Sequence, residues 1–369
     1  MAAARKLPAW AEYGLLPLLN LSLAFLASGL VVLALGESPL QAVRTLVYGA
    51  FGYGEAVGYT LYYATNLIFT GLAVAVAFHT GLFNIGGEGQ AALGGLGLGL
   101  VAIHLGWLPG LVSIPLAILA AALLGGIWGL IPGWLQAKRG SHVVITTIML
   151  NFVASALMTY LMVNVLIKPG QSAPESITFA ESVWLPSLKG AMRLVGVDVG
   201  YAPVNLALPL ALLCCVGVWL FIWRSRLGYE LRVVGHSEPA AVYGGIPPAS
   251  RIVLAMAVSG ALAGLMATNE VLGGEHRLIL AFTGGYGFAG IAVSLMGRNH
   301  PVGIVLAALL FGALYQGGSE LAFEMPRVNR DLVVVNQGLV ILFAGALEHM
   351  FRPQLEALFA HGRSGPVPA

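Results

Sequence analysis

Thr147 and Asn151 stand four residues apart in an apolar run, so a helix through them carries a hydroxyl and an amide on one face. Asn66, Asn84 and Gln90 add three more neutral amides. Glu88 and Gln90 follow paired glycines, where a helix can begin inside a membrane with its amide donors turned toward a solute. Groups of this kind bind a hydroxylated solute without a fixed charge. They also tie membrane helices to one another, and the residues alone leave both roles open. Other chemistry has nothing to act with. The chain has no G-x-x-x-x-G-K-[ST] phosphate loop, no HExxH or CxxC among its scattered histidines, and no serine in a nucleophile elbow. Neither catalysis, nor a metal, nor a cofactor on this chain is expected.

Ionisable residues inside the apolar segments fall at or near segment ends: Glu88, Glu270, Glu320, Glu348 and Arg251. The deep membrane is thus expected to hold no carboxylate or base. Ion-coupled carriers keep such groups at depth because they are the relay, so the driving energy is expected to enter elsewhere. Sodium sites made of carbonyls alone escape that argument.

Composition sets the solvent in which these residues sit. Hydrophobic residues make up 58% of the chain and charged residues 9%, against roughly a quarter charged in soluble domains. The fold class that follows is an all-α polytopic membrane bundle, one domain over 1–369 with spans between about 13 and 350. A span needs about 20 apolar residues. Ten segments qualify: Tyr13–Leu35, Thr60–His79, Gly86–His104, Pro115–Gln136, His142–Ile167, Pro203–Trp223, Ser250–Leu272, the short Gly284–Gly297, Pro301–Leu321 and Leu332–Met350. With both termini in the cytoplasm, 11 Lys and Arg fall inside and 7 outside, which satisfies the positive-inside rule. Glu37 to Tyr59 and Lys168 to Ala202 then lie outside, the second a plain connector or a docking loop for a soluble partner. A net charge of +2 gives no electrostatic case for nucleic acid. A glycine-rich entry followed by apolar runs occurs at GEGQAALGG and again at GYGFAGIAV, starting inside and outside respectively, so an inverted repeat is expected.

The cytoplasmic segment 224–249 reads RSRLGYELRVVGHSEPAAVYGGIPPA. Ser237 suits an N-cap and Pro239 the first turn. Gly244 and Gly245 end the helix, and Pro247–Pro248 forbids its continuation. Two turns are far fewer than the roughly 12–15 residues an isolated helix needs. Packing must hold it, on this chain or in a partner's groove. Its small face, Ala240, Ala241 and Gly244, suits close docking.

Glu238, Ala240, Ala241, Gly244 and Gly245 resemble the coupling loop of ABC importer permeases. GLFNIGGEGQ, SHVVITTIMLNF, GYELRVVG and GIAVSLMGRNHPVGIVLAALLFGAL resemble the branched-chain amino acid and sugar permease superfamily, and within it the nucleoside-type permeases. The likeness runs from about Asn66 to Phe343. Ala289 and Val143 stand where many members have an acid, which loosens the transfer of pathway residues at those points. The resemblance implies ATP-driven nucleoside import across the bacterial inner membrane. It also implies three partners: an ATPase subunit carrying ATP and Mg, a second permease subunit, most often a paralogue, and an extracytoplasmic binding protein. A ribose- or galactose-type sugar permease is the alternative within that class, and an ion-coupled carrier the alternative outside it.

Overall fold

The computed structural model describes residues 15–325 together with 334–335 and 338–339. The tenth expected span, 332–350, lies outside the described residues but for those four positions, as do the charges of both termini. Among the described residues the chain is helical and has no strand, only two isolated bridges. The helices are α1 (Leu16–Ala34), α2 (Pro39–Phe51), α3 (Gly54–Phe78), α4 (Gly87–Leu105), α5 (Gly110–Arg139), α6 (Val143–Asn164), α7 (Lys189–Leu194), α8 (Ala207–Trp219), α9 (Arg226–His236), α10 (Glu238–Tyr243), α11 (Pro248–Ala267), α12 (Tyr286–Met296) and α13 (Pro301–Glu324). Each of the first nine expected spans overlaps one of them. Among the described residues six helices are long and apolar enough to cross a membrane alone, and the α1–α2 pair, bent by 118°, makes a seventh if counted as one. Ten spans is therefore an approximate count.

Two compact units divide the chain, Ala50–Ala313 and the flanking segments. In the flanking unit, Val32, Ala42, Leu321 and Met325 form a buried cluster and Thr45 donates to Glu324 at 2.8 Å. The stretch 37–59, expected to lie outside the membrane, is helical over α2 and the start of α3. Gln41, Arg44 and Thr45 lower its hydropathy, yet Ala42 and Thr45 are buried while Leu40 and Val47 lie exposed.

Within Ala50–Ala313 the centre is built by close backbone approach. Gly125 and Gly129 of α5 face Gly260 and Gly264 of α11, and Gly94 of α4 meets Gly264, with no room for a Cβ at these contacts. Small residues serve this purpose where lipid gives no drive for helix association. One end of this unit carries residues 168–206, pinned by backbone bonds from Ser176 to Leu278, Phe179 to His276 and Leu185 to Leu272. Trp184 stacks on His276 there at 4.0 Å. The opposite end carries α9 and α10, the end of α3, and the turn before α13.

Candidate functional site

Two helices begin in the interior. Residues 79–86 turn back from the α9–α10 end before α4 starts, and residues 276–285 turn back from the other end before α12 starts. α12 has 11 residues, so it covers roughly 16 Å, about half of a ~30 Å hydrocarbon core. Its N-terminus meets that of α4 head to head, with Gly287 packed on Gly87 and Glu88 too closely for a side chain. Glu88 joins the two: its Oε1 accepts from Gly285 N and its Oε2 from Gly287 N, both at 2.9 Å. The carboxylate satisfies donors that the start of a helix leaves orphaned, at the positive end of the helix dipole. The two glycine-rich repeat copies thus run in opposite directions from one junction.

Glu88 stands at the start of its helix, as the sequence places it, and the irregular segment before it brings that start against the start of α12. Hydropathy does not register such a segment.

The amides expected around it frame the junction. Asn84 Oδ1 accepts from Gly86 N at 2.8 Å and from Gln90 Nε2 at 3.1 Å, while its Nδ2 donates to Gln90 Oε1 and Ser259 Oγ. Asn151 Oδ1 accepts from Gly89 N and its Nδ2 donates to Ile85 O, both at 2.9 Å. Thr147 is buried and donates to Val144 O at 3.0 Å. Beside the junction lies a cavity of about 240 Å³. Glu88, Asn151, Ser155 and Thr159 give it a polar wall, and Met158 and Phe282 an apolar one. Of the six expected polar residues, Glu88 and Asn151 reach it.

Asn66 belongs elsewhere. Its Nδ2 donates to Glu270 Oε1 at 2.5 Å, and its Oδ1 accepts from Asn269 Nδ2 at 2.8 Å. Asn269 also donates to Tyr62 O, and Asn205 donates to Asn269 at 2.9 Å. Glu270 is buried here, in a segment, Thr268–Glu275, where α11 continues as π-helix. Such widened turns recur at functional sites. The sequence placed Glu270 at a span end. The adjacent Asn269–Glu270 pair in an apolar run was the signal that it needs internal partners.

At the far end, α9 and α10 cover the turn at 79–82. Ser237 caps α10, accepting from Ala240 N at 3.3 Å, as its sequence suggested. Ala241 is fully buried among Ala77, Leu82, Val143, Val234, Ile252 and Met256. Glu238, Ala240, Gly244 and Gly245 are exposed, and Tyr243 is 99% exposed. The small face therefore divides: Ala241 anchors the helix to this chain, and the remainder faces outward. Glu230 clamps α9 to α11 through Arg251 at 2.5 Å, and Arg226, one turn back on α9 itself, holds its other oxygen at 3.0 Å. Desolvation of Glu230 raises its pKa, but the hydrogen bonds and charges of both arginines outweigh that and hold it below the usual carboxylate range. Neither Glu230 nor Tyr243 was singled out from sequence, although Arg226 and Glu230 stand at helical i, i+4 spacing.

Residues 56–345 match the family described as branched-chain amino acid transport system / permease component. The guanosine ABC transporter permease protein of Bacillus subtilis is 38% identical over 90% of this chain and 93% of its own length. The glucose ABC transporter permease protein of Haloferax volcanii is 35% identical over 99% and 96%. The nucleoside ABC transporter permease protein of Lactococcus lactis is 33% identical over 89% and 90%. The Bacillus and Lactococcus each also have a second such permease, 27% identical to this chain. No solved structure matches the chain significantly.

Proposed function

We propose a role that starts from family membership: this chain belongs to the branched-chain amino acid transport system / permease component family, and it is the membrane-spanning permease of an ABC importer for nucleosides. The observation that carries the substrate is the two-walled cavity beside Glu88. Its carboxylate, amide and hydroxyls suit ribose hydroxyls, and Met158 and Phe282 suit the flat apolar body of a base. A hexose gains little from the second wall. Similarity to guanosine and nucleoside permeases supports the same reading. Glucose import is the second reading, favoured by the Haloferax relative that covers nearly the whole chain.

In this reading Glu88 and Asn151 contact solute, while Asn66, Asn84, Gln90 and Thr147 hold the pathway in shape. Glu238, Ala240, Gly244 and Gly245 meet a separate ATPase subunit, on which ATP and Mg act, and Ala241 fixes their helix to the permease. A paralogue completes the permease pair, in keeping with the second permeases of the Bacillus and the Lactococcus. An extracytoplasmic binding protein docks on 168–202, where Leu194 and Tyr201 are largely exposed. Lys138, Arg139, Arg224, Arg226, Arg232, Arg251 and Arg298 gather at the α9–α10 end, against Lys168, Lys189, Arg193 and Arg277 at the other. That bias supports a cytoplasmic α9–α10 end and cytoplasmic termini in a bacterial inner membrane. Ion coupling has little support, because the oxygens of Glu88 are held by backbone N–H groups.

The test is uptake into proteoliposomes holding the full complex, with binding protein outside. Nucleoside should accumulate only with internal ATP, and should do so after proton and sodium gradients are collapsed. Accumulation by this chain alone on an ion gradient, or of glucose in preference to nucleosides, overturns the reading.

A further inference from the structure

Residues in or beside three of the stretches noted above meet at the α9–α10 end, outside the roles proposed for transport. His79 stands just before GLFNIGGEGQ, Arg232 lies within GYELRVVG, and His300 belongs to the GRNHP turn. The Trp223 ring stands between the two histidines, 4.9 Å from His79 and 5.1 Å from His300. His79 Nε2 is 3.1 Å from the carbonyl oxygen of Asn299. Arg298 and Asn299 form that turn with φ of +53° and +54°, a backbone conformation that few non-glycine residues adopt.

The charge here is one-sided. Burial pushes His79 below the usual imidazole range; its bond to Asn299 opposes this, and the charges of Arg232, His300 and His236 push it further down. No carboxylate figures among those neighbours. Arg232 Nε is buried without a hydrogen-bond partner, and Arg232 makes no ion pair among the described residues. A buried charged donor left unsatisfied is costly, so the complement that fits is an anion with several acceptor oxygens.

Position selects the source of that anion. α8 runs on as π-helix through Leu220–Arg224 to this corner, and Leu213, Val216 and Leu220 on its outer face are exposed, as on a helix facing lipid. Arg224 lies over the Trp219 ring at 5.2 Å. Trp beside Arg at the end of a lipid-facing helix marks headgroup level. Basic pockets between helices on the cytoplasmic side bind anionic headgroups. We propose that the cluster of His79, Trp223, Arg232 and His300 binds the phosphate of an anionic phospholipid and holds α9 against the helix ends.

The complete complex, in vesicles of phosphatidylcholine with or without phosphatidylglycerol, is released for native mass spectrometry and melted in parallel. Wild type should retain phosphatidylglycerol and melt higher in its presence; Arg232→Gln should lose both effects and Arg232→Lys should keep part of each. Where Arg232→Gln does not assemble, His300→Gln gives the same comparison. Equal retention and melting shifts in wild type and variant overturn the proposal. An equal gain from inorganic phosphate in phosphatidylcholine alone replaces the lipid by a free anion and overturns the assignment. If Arg232→Gln instead loosens the ATPase subunit equally in both lipids while phosphatidylglycerol is retained, the cluster serves a protein partner and the proposal is wrong.

Discussion

The junction at Glu88 and the surface helix α10 stand at opposite extremes of self-sufficiency. At the junction, the carboxylate, three amides and a serine hydroxyl all find partners within the chain. On α10, six residues rest on one buried alanine and one serine cap, and the rest face outward. The contrast follows from solvent. A polar group in the bilayer has no water to turn to, so it is framework first, and only what remains unfilled is left for a solute. A helix in water bears exposure at little cost, so an underfilled helix there is free to be completed by another protein. The turn at 79–86 touches both: Leu82 packs with Ala241, and Asn84 lies two residues further on.

Four experiments break or sharpen this contrast. The largest effect is expected from Gly287→Leu. Its side chain would enter the backbone of Glu88, and overpacking of a rigid contact costs typically 1–3 kcal/mol, occasionally more. Uptake should vanish along with the purified complex; a stable, active variant would mean that the two helix starts can separate. Gly244→Trp should abolish uptake and substrate-stimulated ATP hydrolysis while the melting temperature of the permease alone stays put. At Gly244 an added Cβ meets nothing closer than backbone oxygens of its own helix at 3.4 Å. Normal uptake by this variant would remove α10 from the partner contact.

Asn84→Ala should lower thermal stability by about 1–3 kcal/mol, since it leaves Gly86 N, Gln90 and Ser259 without a shared partner. An unchanged melting curve in detergent would show that water reaches the junction and replaces the amide. The smallest effect concerns pH. Glu230 has a lowered pKa when folded, so its stabilisation is complete above its unfolded value and is lost as pH falls through the folded one. Attachment of the ATPase subunit should weaken over that acid range in wild type and depend less on pH in Glu230→Gln. Identical profiles would mean that the clamp does not hold the surface helices in place.

Sequence alone carried the fold class, nine spans that each overlap a helix, the opposed repeat and the capped two-turn helix. Each rests on local chemistry: apolar length, a serine before a proline, paired glycines. It gave 37–59 no secondary structure, because three polar side chains hide the amphipathic helix α2. It left the partners of Glu88 and Glu270 unread, because position along a segment does not tell which distant groups a carboxylate meets. Only tertiary structure decided that the starts of α4 and α12 meet, that Asn66 serves Glu270 rather than the cavity, and that Ala241 points inward while Tyr243 points out. Depth and facing depend on where irregular segments carry the chain and on which distant helix supplies the hydrogen-bond partner, and neither is encoded in the hydropathy of neighbours along the sequence.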